Sequence, residues 1–141
     1  MSTDKDYIQL LAEPSVRLLN TGLAQDRRYT AGEHIHPRYR VCAELSADYR
    51  ALTGDPADNI AGIRGIGPKT AARLLTGGRR LEDIPSSELR PAWTEQWPQA
   101  LHWREMIKLG TKVDLPENLL TSLPTAPMPK ATEVLQALGL W

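Results

Sequence analysis

The feature that most constrains this chain is the segment from Gly54 to Leu75, which is built around a glycine-rich turn. The turn contains three glycines at short intervals, Gly62, Gly65 and Gly67. Glycine allows positive φ and lets the backbone approach a ligand without a Cβ in the way. Ile63 and Ile66 can point into a small core, and Pro68 stands where its missing N–H costs nothing, at the start of a helix. The segment therefore predicts a tight turn that opens a helix.

The surroundings of this turn are basic. No acidic residue occurs between Asn59 and Leu81, and the stretch has five cationic side chains: Arg64, Lys69, Arg73, Arg79 and Arg80. Since the whole chain has 17 basic and 17 acidic residues, this excess is a local patch. The first amides of a helix and its dipole also favour an anion. We predict a phosphate-binding site, and the alternative is a plain turn between two packed helices with a solvated basic face.

Two carboxylates precede the turn. Asp55 and Asp58 are three residues apart and are suited to a hard metal ion, which takes oxygen ligands. A metal site beside a phosphate-binding turn is what the hydrolysis of a nucleic acid requires.

The sequence Gly-Asp-Pro-Ala-Asp-Asn at residues 54–59, with the turn that follows, resembles the helix–three-turn–helix of the structure-specific 5′-nucleases. This family of 5′-3′ exonucleases and flap endonucleases includes the 5′-nuclease domain of bacterial DNA polymerase I and the phage 5′-exonucleases. Ser2-Thr3-Asp4-Lys5-Asp6 resembles a second signature of the family, in the same order and at a similar distance. The resemblance continues more weakly to about Leu115.

The resemblance implies roles for particular residues. It implies catalytic metal ligands at Asp4, Asp6, Asp55 and Asp58. It implies contacts to the DNA backbone from Arg64, Gly65, Gly67, Lys69, Thr70 and Arg73. It also implies a monovalent cation, commonly K⁺, at the carbonyls of Ala61, Ile63 and Ile66. The implied chemistry is two-metal phosphodiester hydrolysis with Mg²⁺ or Mn²⁺.

Only the C-terminal half of such a nuclease is matched. The family's N-terminal half supplies further metal-binding aspartates, and no Glu-x-Asp-Asp cluster occurs here. We expect a partial metal site that an N-terminal half completes. The chain would be either one half of a split nuclease whose other half is a separate polypeptide, or a truncated or trimmed product of a longer gene. The alternative function is a non-catalytic module that binds duplex DNA. Clustered acids, which repel DNA, count against that alternative.

Taken alone, Asp4 and Asp6 have a simpler interpretation. Ser2, Thr3 or Asp4 could cap a short helix, and the first turn of a helix favours carboxylates. Capping and metal binding are compatible.

The predicted fold class is mainly α: a helix–three-turn–helix, or helix-hairpin-helix-like, DNA-binding region with a small β element left from a PIN-like α/β nuclease core. The predicted divisions are a remnant of the nuclease core at 1–53, the DNA-binding region at 54–115, and a proline-rich connector with a C-terminal helix at 116–141. A content of 41% hydrophobic residues supports a modest core.

Helices are predicted over Asp4–Ala12 and Ala43–Thr53, and a strand over Val16–Asn20. Between them, Pro37 is expected to interrupt Gly32–Tyr39, and His34 and His36 are expected to be solvent-exposed rather than metal ligands. A later helix should bury one face, formed by Trp93, Trp97, Leu101, Met106 and Ile107.

Cysteine content and hydropathy indicate the compartment. The chain has one cysteine, Cys42, which excludes an internal disulfide and suits a reducing interior. It shows no signal sequence and no apolar run long enough for a membrane span. We expect a cytoplasmic protein of a bacterium or phage that acts on duplex or branched DNA, in replication and repair as the resemblance implies, with no membrane partner.

Overall fold

The computed structural model describes residues 4–20, 29–110, 114 and 130–139, and most of them are helical. The predicted mainly α class is therefore confirmed. Two compact units are present, Met1–Leu109 and Gly110–Trp141. The predicted proline-rich connector lies outside the described residues.

The described α-helices are α1 Ile35–Tyr39, α2 Ser46–Thr53, α3 Pro68–Leu74, α4 Pro91–Thr94, α5 Trp97–Ile107 and α6 Ala131–Ala137. Short 3₁₀-helices lie at Lys5–Ala12, Gly32–His34, Ala43–Leu45, Pro56–Asp58, Thr76–Gly78, Leu81–Asp83 and Ser86–Glu88. The β element is a two-stranded antiparallel ladder of β1 Leu18–Leu19 and β2 Tyr29–Thr30.

The N-terminal elements follow the sequence pattern with three differences. The predicted first helix is a 3₁₀-helix, Lys5–Ala12, and the strand predicted over Val16–Asn20 is reduced to β1. The prediction that Pro37 interrupts its segment was wrong, because α1 runs through it. Pro37 lies in the first turn of α1, where a backbone N–H has no intrahelical acceptor and its loss is harmless.

The core of the first unit forms where α2 packs against α5. Leu52 and Leu81 are completely buried, and Trp93 and Trp97 are buried as predicted. Met106 was predicted on the same face as the tryptophans, but it is 63% exposed. It follows Trp97 by nine residues, about two and a half helical turns, and so it points to the opposite side of α5.

The backbone folds back on itself directly after α2. Gly54, with φ of 84°, ends the helix, and the N–H of Asp55 donates to the carbonyl of Ile60 at 2.8 Å. The N–H of Ile60 returns the bond to the carbonyl of Asp55 at 2.9 Å. A Cβ on Gly62 would lie 2.4 Å from the Gly54 nitrogen, so the two stretches of backbone touch. Only glycine permits this approach, because any Cβ would clash. Gly62 also has positive φ, which favours glycine for a second reason.

A buried carboxylate on α2 binds the backbone of the segment that follows α3. Asp48 on α2 is 1% exposed and accepts a hydrogen bond from the N–H of Leu81 at 3.0 Å. Arg104 on α5 lies 3.9 Å from the same oxygen and 3.0 Å from Glu82. Burial raises the pKa of Asp48, although the Leu81 hydrogen bond and the Arg104 charge act in the opposite direction. Asp48 therefore joins α2 to the segment that follows α3.

In the second unit, α6 follows Lys130, whose N–H donates to the carboxylate of Glu133 at 3.1 Å. Val134 and Leu138 are exposed on this helix.

Within the part of the chain that the structure describes, no helix has the length and apolar character needed to cross a membrane.

Replacing Asp48 by Ala and by Asn separates its hydrogen bond from its charge. Asp48→Ala leaves a buried N–H without an acceptor and should lower the free energy of unfolding by about 1–3 kcal/mol. Asp48→Asn keeps an acceptor. Folding raises the pKa of Asp48, so the free energy of unfolding of the wild type falls as the pH rises from the unfolded-state pKa of this carboxyl through its folded-state pKa. The Asn variant should therefore be at least as stable as the wild type at about pH 7. Urea unfolding measures both, and equal losses at that pH would contradict the prediction.

Replacement by alanine should be costly at one glycine of the turn and nearly neutral at another. Gly62→Ala introduces both positive-φ strain and a backbone clash, and should cost more than about 2 kcal/mol in thermal or urea unfolding. Gly67 has an ordinary φ of −95° and no atom within 4 Å of an added Cβ. Gly67→Ala is the matched control and should change stability by less than about 0.5 kcal/mol. Equal effects of the two variants would argue against the described turn.

Candidate metal site and nucleic-acid interface

Three of the four predicted metal ligands meet around one arginine. Arg50 on α2 is 7% exposed, and its Nε and Nη2 lie 2.9 and 2.6 Å from Oδ2 of Asp55. Nη2 also lies 2.7 Å from Oδ2 of Asp58, and Nη1 pairs with Oδ1 of Asp6. We call Asp6, Asp55 and Asp58 the acidic cluster. The fold therefore brings together both of the motifs in which the predicted carboxylates occur.

Local backbone geometry orients this cluster. Arg50 lies in the last turns of α2, and its carbonyl accepts the N–H of Gly54 at 2.8 Å. The chain then turns so that Asp55 caps the next 3₁₀-helix, with Oδ1 accepting from the N–H of Ala57 at 3.0 Å. Asp55 thus uses one oxygen for the cap and the other for Arg50. Asp58 follows within that single helical turn.

The acidic cluster and the cations around it stabilise each other's charges. Burial alone would raise the pKa of Asp55, but the hydrogen bonds from Arg50 and Ala57 and the charges of Arg50 and Lys5 together lower it. Burial likewise acts to lower the pKa of Arg50, and its hydrogen bonds to Asp6 and Asp55 outweigh burial and raise it. Nζ of Lys5 lies 3.6 Å from Oδ2 of Asp55. Asp55 and Arg50 are therefore an ionised pair in the folded chain.

Asp4 takes the capping position that the simpler interpretation predicted. Its Oδ1 accepts from the N–H of Asp6 at 2.9 Å at the start of the 3₁₀-helix Lys5–Ala12. The side chain is exposed. Its role as a metal ligand stays a prediction.

The acidic cluster does not fit a divalent metal in this arrangement. Carboxylate oxygens are the ligands that Mg²⁺ and Mn²⁺ take, but a guanidinium lies among them here. Across the described ranges of the chain, no three Asp, Glu, His or Cys side chains are placed to hold a metal ion.

A cavity of about 210 Å³ lies beside the cluster. Lys5, Arg50 and Asp55 line its charged side, and Ile8, Ile35 and Val41 are among the apolar residues that line it. Tyr7 and Leu10 of the N-terminal 3₁₀-helix are exposed. The first unit therefore presents apolar side chains on the same helix as Asp6.

The basic patch at the turn is smaller than the sequence predicts. Arg64, Lys69 and Arg73 are exposed and make no ion pair with the described residues, whereas Arg79 donates to Glu88 at 2.9 Å. The turn itself is braced, since the N–H of Arg64 donates to Oε1 of Gln96 at 3.1 Å.

The remaining predicted interface residues lie on the same turn and on α3. Gly65 and Gly67 are exposed, and Thr70 is half-buried. An added Cβ on Gly65 would meet Nε1 of Trp93 at 3.5 Å. The carbonyl of Ile63 accepts the N–H of Ile66 at 3.0 Å, and the cation site predicted at Ala61, Ile63 and Ile66 stays a prediction.

Two residues that the sequence reasoning missed extend this surface. A groove of about 830 Å³ has Lys69 and Arg73 on α3 among its lining residues, together with His36 of α1 and Arg40, which follows α1. None of the described residues that line the groove is acidic. We call it the basic groove. His36 is exposed, as predicted, but it lies far from the turn in sequence, so no local pattern could have joined it to α3.

Arg50 was also missed. The available signal was a single charge between Tyr49 and Ala51 in a helix whose neighbouring positions are mostly apolar, directly before the acidic motif. A buried position of this kind requires a charge partner, and the following aspartates supply it.

Known proteins resemble this chain in sequence and in fold. DNA polymerase I of Deinococcus radiodurans is 42% identical over 84 residues, which cover 60% of this chain and 8% of the polymerase. Flap endonuclease Xni of Colwellia psychrerythraea is 32% identical over 119 residues, 82% of this chain and 40% of that protein. Flap endonuclease Xni of Klebsiella pneumoniae is 33% identical over 125 residues, which cover 84% of this chain and 48% of that protein. The chain spans less than half the length of these relatives.

A solved structure described as divalent metal ions (zinc) bound to T5 5′-exonuclease shares the fold. It has a TM-score of 0.63 and 22% sequence identity, and the match covers 75% of this chain and 41% of the exonuclease. Residues 41–130 match the family described as 5′-3′ exonuclease, C-terminal SAM fold. This match includes α2, the Gly54–Gly62 turn and the basic α3, and the chain therefore belongs to the 5′-3′ exonuclease, C-terminal SAM fold family.

Proposed function

We propose that this chain is the DNA-binding half of a structure-specific 5′-3′ exonuclease or flap endonuclease and contributes part of its metal site. The observation that supports this most is that one turn, between α2 and α3, connects the acidic cluster to the basic groove. The similarity to flap endonuclease Xni and to DNA polymerase I agrees with it. The substrate would be duplex or branched DNA.

The DNA contact would be made mainly to phosphates. Arg64, Lys69 and Arg73 are exposed and have no competing carboxylate among the described contacts. Gly67 offers space for close approach of a strand, because nothing lies within 4 Å of its Cβ position. Arg40 would continue the contact along the basic groove. Cationic side chains and open backbone bind DNA without reading its sequence.

The metal and an N-terminal half belong to the same proposal. Mg²⁺ or Mn²⁺ at Asp4 and the acidic cluster, and K⁺ at the carbonyls of the turn, would act in the completed enzyme. A separate N-terminal half is the proposed protein partner, and exposed Tyr7 and Leu10 offer it apolar contacts. The division into a nuclease-core remnant at 1–53, a DNA-binding region at 54–115 and a connector with a C-terminal helix at 116–141 also belongs to the proposal, as does a cytoplasmic location.

Binding and cleavage of one DNA substrate test the proposal. The chain is titrated with a 5′-flap DNA in Ca²⁺, and cleavage is then followed in Mg²⁺. Binding without cleavage is the expected result for an isolated half. Absence of binding would overturn the proposal. Cleavage that Asp55→Asn abolishes would show that the chain, alone or as a dimer, already has a complete site. A failure of a supplied N-terminal half to restore cleavage would favour the non-catalytic DNA-binding module.

Replacing Lys69 by Ala tests the phosphate contact. The loss of one cation at the phosphate should weaken binding to all duplex sequences similarly and reduce the salt slope by about one. Fluorescence anisotropy over a range of salt concentrations measures both quantities. Arg79→Ala is the matched control, because Glu88 already neutralises Arg79, and it should leave the slope nearly unchanged. A loss limited to some sequences would be inconsistent with a backbone contact.

A further inference from the structure

Arg50 lies where the proposed function requires a metal ion. We infer that its guanidinium is a resident counter-ion of the acidic cluster, and that a divalent metal and Arg50 compete for the same carboxylate oxygens. This inference deepens the proposed function and takes from it the identity of the metal-binding carboxylates. It follows from the disagreement between the predicted metal site and the arrangement of the folded chain.

The contacts of Arg50 leave little of the cluster free for a metal. Its Nη2 alone reaches Oδ2 of both Asp55 and Asp58, at 2.6 and 2.7 Å. Oδ1 of Asp55 already caps Ala57. A metal therefore cannot take the two Oδ2 atoms while the guanidinium remains between them. A planar fork of five donors can satisfy several carboxylates at once, which explains why arginine suits this position.

The charges also favour competition. The acidic cluster has three carboxylates that all contact one guanidinium, and without a cation between them they would repel one another strongly. Arg50 supplies one positive charge from a buried position, and Lys5 supplies a second from a largely exposed one. Two positive charges thus offset most of the field that would attract a divalent cation. Removing Arg50 leaves the same carboxylates with a much stronger attraction for a metal.

The cavity beside the cluster gives the guanidinium room to move. Arg50 lines this cavity of about 210 Å³ together with Tyr39 and Tyr49. A guanidinium can lie against a tyrosine ring, so the displaced side chain would keep a favourable contact. The backbone of α2 need not move for this exchange. Metal entry therefore requires displacement of the Arg50 side chain from the acidic cluster.

Mn²⁺ binding to three variants tests the inference. Isothermal titration calorimetry is performed on the wild type, Arg50→Met and Arg50→Lys. Arg50→Met should bind Mn²⁺ at least about tenfold more tightly than the wild type, since a like charge is removed from the site. Arg50→Lys keeps one charge but cannot bridge three carboxylates, and its affinity should lie between the other two.

Arg104→Met is the matched control. The side chain of Arg104 is 10% exposed, against 9% for Arg50. Arg104 also lies near three carboxylates, those of Asp48, Glu82 and Glu105. It should lose stability without gaining Mn²⁺ affinity, because it lies outside the acidic cluster. In thermal unfolding, Mn²⁺ should stabilise Arg50→Met more than the wild type, and it should restore folding if that variant is unfolded without metal.

The outcomes separate the inference from the proposed function. Equal Mn²⁺ affinity and equal thermal stabilisation in the wild type and both Arg50 variants would overturn the inference, even if the 5′-flap DNA is bound normally. Tighter Mn²⁺ binding in Arg104→Met would also overturn it, since the effect would then reflect loss of any buried arginine. If Arg50→Met gains affinity but none of the proteins binds the flap DNA, the competition is supported and the proposed function fails.

Discussion

The functional surfaces of this chain depend on the close approach of two stretches of backbone at Gly54 and Gly62. Both glycines have positive φ, their backbones lie close together, and neither position has room for a Cβ. This contact holds the turn against the end of α2. On one side of this contact the chain presents Asp55 and Asp58, and on the other it leads into α3. The spacing between the acidic cluster and the basic groove is therefore set by backbone packing rather than by a flexible linker.

The second determinant is how the buried charges are distributed. Arg50 and Arg104 both extend from core helices into groups of carboxylates, but their surroundings differ. Arg104 braces Asp48 and Glu82 across α2, α5 and the segment after α3, which is a structural arrangement. Arg50 gathers carboxylates from two separate motifs at the edge of a cavity. This difference is why similar burial and similar partners support a structural role for one arginine and a functional role for the other.

Much of the fold could be predicted from the sequence, because local patterns decide where helices begin and end. Gly54 ends α2 and Pro68 begins α3, and both follow from backbone chemistry. Burial of Trp93 and Trp97 followed from helical spacing. The errors at Pro37 and Met106 arose where a pattern was applied without regard to position within a turn or to the full rotation of a helix.

The family, the order of the motifs and the turn that joins them could all be read from local sequence, since each motif consists of residues adjacent in the chain. Which charges are available became visible only in the folded chain. Folding neutralised Arg79 with Glu88, added His36 and Arg40 to the basic groove, and placed Arg50 among Asp6, Asp55 and Asp58. The physical reason is that a charge acts through distance and burial, and residues remote in sequence become neighbours only when the core has packed.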